Sequence, residues 1–307
     1  MASGPSRPTA ADLEADVGHP GDIWQYLQAR VQDEDIKQFR LVEAEWLELM
    51  WSLDAYRIAG VAPRDMGNDK IDEGRRLAAI YRSKGNWFAT LMAVLLQNQT
   101  YQPIRPRIKV QGMSQVHQID VAWPPRDVDV LVCAETKVTG APAYGSTPAR
   151  SAISDFANRR KELKFAATDL KLYRRDQDTQ IEHWGVWREA TPPKTYFLWA
   201  ARLRESGTRG DDRIDRLGVE AQALVNSYLD GAGLVAWRVS PGKAGYEPVS
   251  LPSIASVSIL DDVLYRIASE IRRRVTPSGK APEPQRPGVR AVDVNQLVRD
   301  PVTDVGS

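Results

Sequence analysis

Asp120, Glu135 and Lys137 are the residues whose types and spacing hold the most chemistry in this chain. Glu135-Thr136-Lys137 closes an apolar run, and Ile119-Asp120 ends fifteen positions before the glutamate. Side chains of a strand alternate between faces, so Glu135 and Lys137 share one side, roughly 6–7 Å apart. Asp120, between Ile119 and Val121 in a second strand, leaves the face opposite to theirs. If the two strands form a hairpin closing around Pro124 to Asp127, Asp120 falls opposite Glu135, and two carboxylates and an ammonium converge. Such a trio suits attack on a phosphodiester, which builds negative charge on nonbridging and leaving oxygens. A Mg²⁺ between two acids neutralises that charge and acidifies a bound water. Mg²⁺ favours a couple of carboxylates with waters and phosphate oxygens, and the Thr136 carbonyl is a further donor that needs no side chain. Lys137 could orient the water, help to deprotonate it, or hold the phosphate; all three stay open. A Glu-x-Lys also occurs as an ordinary pair of charges at a strand end. The buried-type strand before it, the acid in the preceding strand and an apolar helix ahead of both favour the chemical reading.

The 307 residues, 42% hydrophobic, suffice for one large or two modest globular domains. Basic and acidic residues balance at 41 to 40, so only local charge distribution can point to nucleic acid. A single cysteine excludes an internal disulfide framework and a cysteine-built zinc site. His19, His117 and His183 are too scattered for a histidine-rich metal site. No apolar h-region follows Met1, and the run Leu91 to Leu96 is far too short to span a bilayer. A cytoplasmic protein with no membrane partner is expected.

Residues 1–20, rich in Pro, Gly, Ser and Ala, read as a disordered arm, and the Pro-rich stretch 276–307 reads as a flexible tail. Between them, 21–84 reads as a helical recognition or dimerisation region. Trp24, Leu27 and Val31, then Val42, Trp46, Leu49, Met50 and Leu53, fall at helical spacing. Pro63 to Asn68 breaks the pattern, a third helix covers 69–83, and Gly85-Asn86 caps an apolar helix over 87–98. Period two then predicts a strand over 104–110, with Pro106 marking an edge or bulge, and further strands over 116–123 and 128–138. A basic helix over 149–174 follows, then a continuous apolar strand over 196–203, a helix over 211–229, a strand over 233–239 and a closing helix over 258–274. Ser258 and Asp261 form a capping-box-like start to that last helix. The order is mixed α/β.

Residues 85–174 resemble the core of the PD-(D/E)XK nucleases, the superfamily of type II restriction endonucleases, resolvases and many defence nucleases. Those cores run helix, three-stranded meander, helix, strand. On this resemblance Asp120, in Gln118-Ile119-Asp120-Val121, stands for the first acid, Glu135 for the second and Lys137 for the lysine. It implies a restriction-endonuclease-like mixed sheet core flanked by helices over 85–275, with Mg²⁺ as cofactor and Mn²⁺ as substitute. It also implies a metal-dependent DNA endonuclease of restriction or anti-phage defence, working as a homodimer or a defence-complex subunit. RNA-directed or exonucleolytic action belongs to the same superfamily. Ile119 replaces the proline that names the motif, and Ala89-Thr90 follows Trp87-Phe88 where many members carry a glutamate. Glu73 is the candidate for that extra acid. The missing glutamate motivates an alternative, a catalytically inactive nuclease-fold DNA-binding or scaffold subunit of a larger complex.

Arg150, Arg159, Arg160 and Lys164 stand on the basic helix, where they could follow a phosphate backbone or form a solvated face balanced by Asp155, Glu162 and Asp169. Arg105, Arg107 and Lys109 form a basic stripe with no intervening acid, which favours phosphate contact. Trp184 or Trp187 could act as a recognition wedge, Trp199 reads as core, and Cys133 as a small buried residue.

Overall fold

Among the described residues seven strands form one mixed sheet, and the strands that carry the acids lie inside it. The structure is a computed structural model and describes residues 7–127, 130–179, 192–204, 214–250 and 257–275. β1 (Arg105–Gln111), β2 (Val116–Trp123) and β3 (Val132–Thr139) run antiparallel in sequence order. β4 (Lys194–Arg202) and β5 (Gly231–Val239) then continue the sheet parallel to β3. Beyond β5 the sheet ends in two three-residue strands, β6 (Tyr246–Pro248), antiparallel, and β7 (Val257–Ile259), parallel. β1 is an edge strand, as Pro106 requires, because proline gives no N–H to a ladder.

The helices cover both faces. α5 (Ala152–Thr179) and α6 (Ile214–Val225) lie on one, where Phe156, Leu163, Leu217 and Leu224 pack on Phe197, Trp199 and Leu234. The other face carries α4 (Glu73–Thr100) and α7 (Leu260–Val275), with α1 (Ala10–Val17), α2 (Pro20–Asp33) and α3 (Glu43–Ala59) outside them. β4 and β5 read as unbroken apolar runs because both of their faces are covered.

Several elements depart from the sequence reading. Within the arm expected over 1–20, Ala10–Val17 instead form α1, started by a capping box between Thr9 and Asp12 and anchored by buried Leu13, while residues 1–6 lie outside the described residues. The helices expected over 69–83 and 87–98 are one helix of 28 residues, α4. Gly85 sits inside it, with nothing within 4 Å of where a Cβ would stand. A mid-helix glycine costs about 1 kcal/mol, less than the packing of Tyr81 on one side and Trp87 on the other supplies.

No structural boundary therefore falls at residue 84. Trp24 of α2 stacks on Trp87 at 5.6 Å, and Phe39 and Trp46 meet Phe88 at 6.4 and 5.2 Å. The helical region 21–84 and the sheet share one core. At the other end, Ser258 belongs to β7 and caps nothing; its Oγ accepts from Arg266. Asp261 instead accepts the N–H groups of Phe39 and Arg40, at 2.6 and 3.2 Å, tying α7 to the N-terminal layer. The tail 276–307, Trp184 and Trp187 lie outside the described residues. No helix among the described residues is long and apolar enough to cross a membrane.

Candidate functional site

Asp120 and Glu135 come together because the β2–β3 ladder stops one step short of them. Its pairs run from Trp123 opposite Val132 to Val121 opposite Ala134. The same register, continued by one residue, sets Asp120 opposite Glu135. There the Asp120 carboxylate takes the place of the missing ladder partner. Its Oδ2 accepts from the Thr136 N–H at 2.9 Å and the Thr136 hydroxyl at 3.0 Å. In an extended strand the N–H and C=O of one residue point the same way, so the Thr136 carbonyl also faces the Asp120 edge.

Lys137 closes the group. Its Nζ stands 3.3 Å from Glu135 Oε2 and 3.7 Å from Asp120 Oδ2. The three side chains are 18 to 26% exposed, so solvent reaches the site while protein encloses most of it. Burial, and then the Asp120 charge, push the Glu135 carboxyl up to about 8, with Lys137 only partly offsetting them. Burial works against the Lys137 ammonium, but the Glu135 and Asp120 carboxylates outweigh it and hold its pKa above the usual lysine value. Two carboxyl groups therefore share one ammonium, and burial together with the Asp120 charge favours the protonated form of Glu135.

Asp120 and Glu135 are the carboxylates here that could serve a hard divalent cation, with the Thr136 carbonyl, on the same strand edge as its N–H, as a further oxygen. Glu73 does not add to it. That side chain accepts from the Ala62 N–H at 3.3 Å and lies 3.7 Å from Arg7, at the far start of α4. No third Asp, Glu, His or Cys joins the pair among the described residues, and Ala89 and Thr90 of α4 are buried in the core.

The expected DNA-contacting cations divide into two sets. Arg150, expected on the basic helix, lies before α5 in a bridge to Ala141 and pairs with Asp155 at 3.4 Å; on α5, Arg159 pairs with Glu162 at 2.8 Å and Arg160 with Glu220 at 2.6 Å. Lys164 lies over the Tyr228 ring at 4.7 Å. The solvated-face reading of that helix thus accounts for Arg159 and Arg160, although the Arg159 charge also bears on Lys137. On β1, Arg105, Arg107 and Lys109 have no acidic partner among the described residues. Arg107 has φ +56°, which interrupts the regular alternation that would have set all three on one face.

A second polar cluster was not foreseen. Asp54 of α3 accepts from Tyr81 at 2.8 Å and from the Tyr246 hydroxyl, and forms an ion pair with Arg202, whose Nε is 3.1 Å away and donates to Tyr246. Lys84 donates to Tyr81 at 3.1 Å and to the Gly140 carbonyl at 3.2 Å. Burial lowers the Lys84 amine to about 8. Gly140, just past the end of β3, has φ +83°, and a Cβ there would collide with the Arg202 carbonyl. One signal was available in the sequence: Arg202 is a lone cation in an otherwise apolar strand, and a buried charge needs a partner. His117 bonds Asp169 of α5 at 2.7 Å, and Asp169 also takes the Ser114 hydroxyl at 2.7 Å. These contacts clamp the β1–β2 turn to α5. Trp199 is fully buried and donates to Thr139 at 2.7 Å, and Cys133 is buried, both as expected.

In comparisons with known proteins, no family model, no curated protein and no solved structure matches this chain.

Proposed function

We propose that this chain is a metal-dependent DNA endonuclease of the restriction-endonuclease-like type, acting in restriction or anti-phage defence as a homodimer or complex subunit. The observation that carries the reading is the convergence of Asp120, Glu135 and Lys137 where the β2–β3 ladder ends. Asp120, Glu135 and the Thr136 carbonyl are the groups that would hold Mg²⁺ or Mn²⁺. When bound, that ion would supply an acidic water and charge neutralisation at the phosphate.

The chain's own residues divide the remaining work. Thr136 fixes the Asp120 carboxylate through two hydrogen bonds, so the acid is oriented before any ligand arrives. Lys137, held charged by its neighbours, is a donor to a phosphate oxygen or to the attacking water and a poor proton acceptor. Arg105, Arg107 and Lys109, free of acidic partners among the described residues, are suited to phosphates flanking the cut. Nicking of supercoiled plasmid by wild type and Glu135→Ala, with Mg²⁺ or with a chelator, tests the reading. Cleavage that needs both the ion and Glu135 supports it; equal cleavage by both proteins rules it out.

One observation favours a second reading. With no third acid beside the pair among the described residues, a nuclease-fold DNA-binding or scaffold subunit without activity also fits. Calorimetry separates the two. Absence of Mg²⁺ and Mn²⁺ binding, together with tight DNA association, would select the subunit.

A further inference from the structure

A cavity of about 470 Å³ lies between α3 and the β5–β6 turn and shares no residue with the acid pair. That volume is in the range of small-ligand sites. Trp51 and Tyr246 form its aromatic wall, set edge to face with ring centres 5.2 Å apart. The Tyr246 ring is fixed from behind, because its hydroxyl is held by Asp54 and by Arg202. Glu43, in the first turn of α3, and the exposed Glu48 bring two carboxylates to the same space.

Glu43 is the informative residue. An acid in the first turn of a helix suits the dipole, but Glu45 is also there and is paired with Arg30. Glu43 is half-buried with no ion pair among the described residues. Burial, followed by the charge of Asp261, raises its pKa above the ordinary glutamate value. Arg40 lines the same cavity, its Nε donating to the neutral Gln38 Oε1 at 2.8 Å, so the lining sets two carboxylates against one guanidinium. A half-buried carboxylate with no ion pair, beside a fixed tyrosine ring and an indole, is how proteins receive ammonium and guanidinium groups.

We propose that this cavity binds an organic cation, an ammonium or guanidinium head seated against the Trp51 and Tyr246 rings and countered by Glu43. The head could belong to a free small molecule or to a basic side chain of a protein partner.

Calorimetry on the full chain tests this with tetramethylammonium, choline, arginine amide, acetyl-trimethyllysine amide and the uncharged choline analogue 3,3-dimethyl-1-butanol. At least one cation should bind, and the uncharged analogue should not. Glu43→Gln and Trp51→Leu should each weaken binding by about tenfold. Trp51→Phe, which keeps an aromatic face, should recover most of the affinity. Tighter binding of the amide-capped side chains than of the free ammonium ions would assign a protein partner; the reverse would assign a small molecule. The proposal is overturned if no cation binds, if the uncharged analogue binds equally, or if Glu43→Gln retains wild-type affinity while remaining folded by circular dichroism.

Discussion

Two groups of charges sit in this fold, and they are balanced in opposite ways. Asp54 and Arg202 are 6 and 7% exposed, and the Asp54 carboxylate is met by two phenol hydroxyls and a guanidinium. Asp120 and Glu135 are more open, and a single ammonium faces both. Buried charge that serves only the fold is surrounded by donors until little field is left over. The acid pair lacks that closure: two carboxyl groups share one ammonium, and the Glu135 carboxyl answers with a raised pKa. The difference lies in stoichiometry, since both clusters have short contacts.

The comparison makes graded predictions. The largest concerns activity: Glu135→Ala and Lys137→Ala should each slow plasmid nicking by about 10²–10⁴-fold, whereas Tyr81→Phe, in the balanced cluster, should leave the rate within a few-fold. Loss of activity in all three alike would erase the functional distinction between the clusters. Next comes stability. Asp54→Ala strands Arg202 in the core and should cost about 3–5 kcal/mol in a denaturant titration.

Glu135→Gln should go the other way. The folded-state pKa near 8 lies above the ordinary 4.5, so the native state binds the extra proton. The resulting stability is full below pH 4.5, declines as pH rises and is gone above about 8. Without metal, the Gln variant should therefore exceed wild type by about 1–3 kcal/mol at pH 9 and converge with it near pH 5. Mg²⁺ or Mn²⁺ should raise the wild-type unfolding midpoint more at pH 9 than at pH 6, because the ion and the proton compete for one carboxylate. A pH-independent metal effect would show that Glu135 is not a ligand. The smallest effect is expected next to Lys84 on α4: Gly85→Ala should stabilise by about 0.5–1 kcal/mol, since the added methyl meets nothing.

Much of the sheet was legible in the sequence. Pro106 fixed β1 at an edge, the apolar string from Tyr196 marked a doubly covered strand, and turn position alone set Asp120 against Glu135. What failed did so for physical reasons. Gly85 suggested a helix end, but propensity is weak beside the burial of Trp87 and Phe88. Ser258 and Asp261 had the spacing of a cap, but a three-residue strand against β5 claimed the serine and the N-terminal layer claimed the aspartate. β6 and β7 are too short to express a period. Glu162, three residues from Arg159, was legible as its partner, but Glu220, the partner of Arg160, lies on another helix and has no local trace.

α4, at 28 residues, is a strut about 42 Å long that begins among the outer helices and ends against the sheet. Lys84, near its middle, grips the carbonyl of Gly140, three residues beyond Lys137. Trimming the chain at residue 85 would saw through that strut and strip the indole of Trp87 of its stacking mate. The sheet-bearing half should then be recovered only as inclusion bodies.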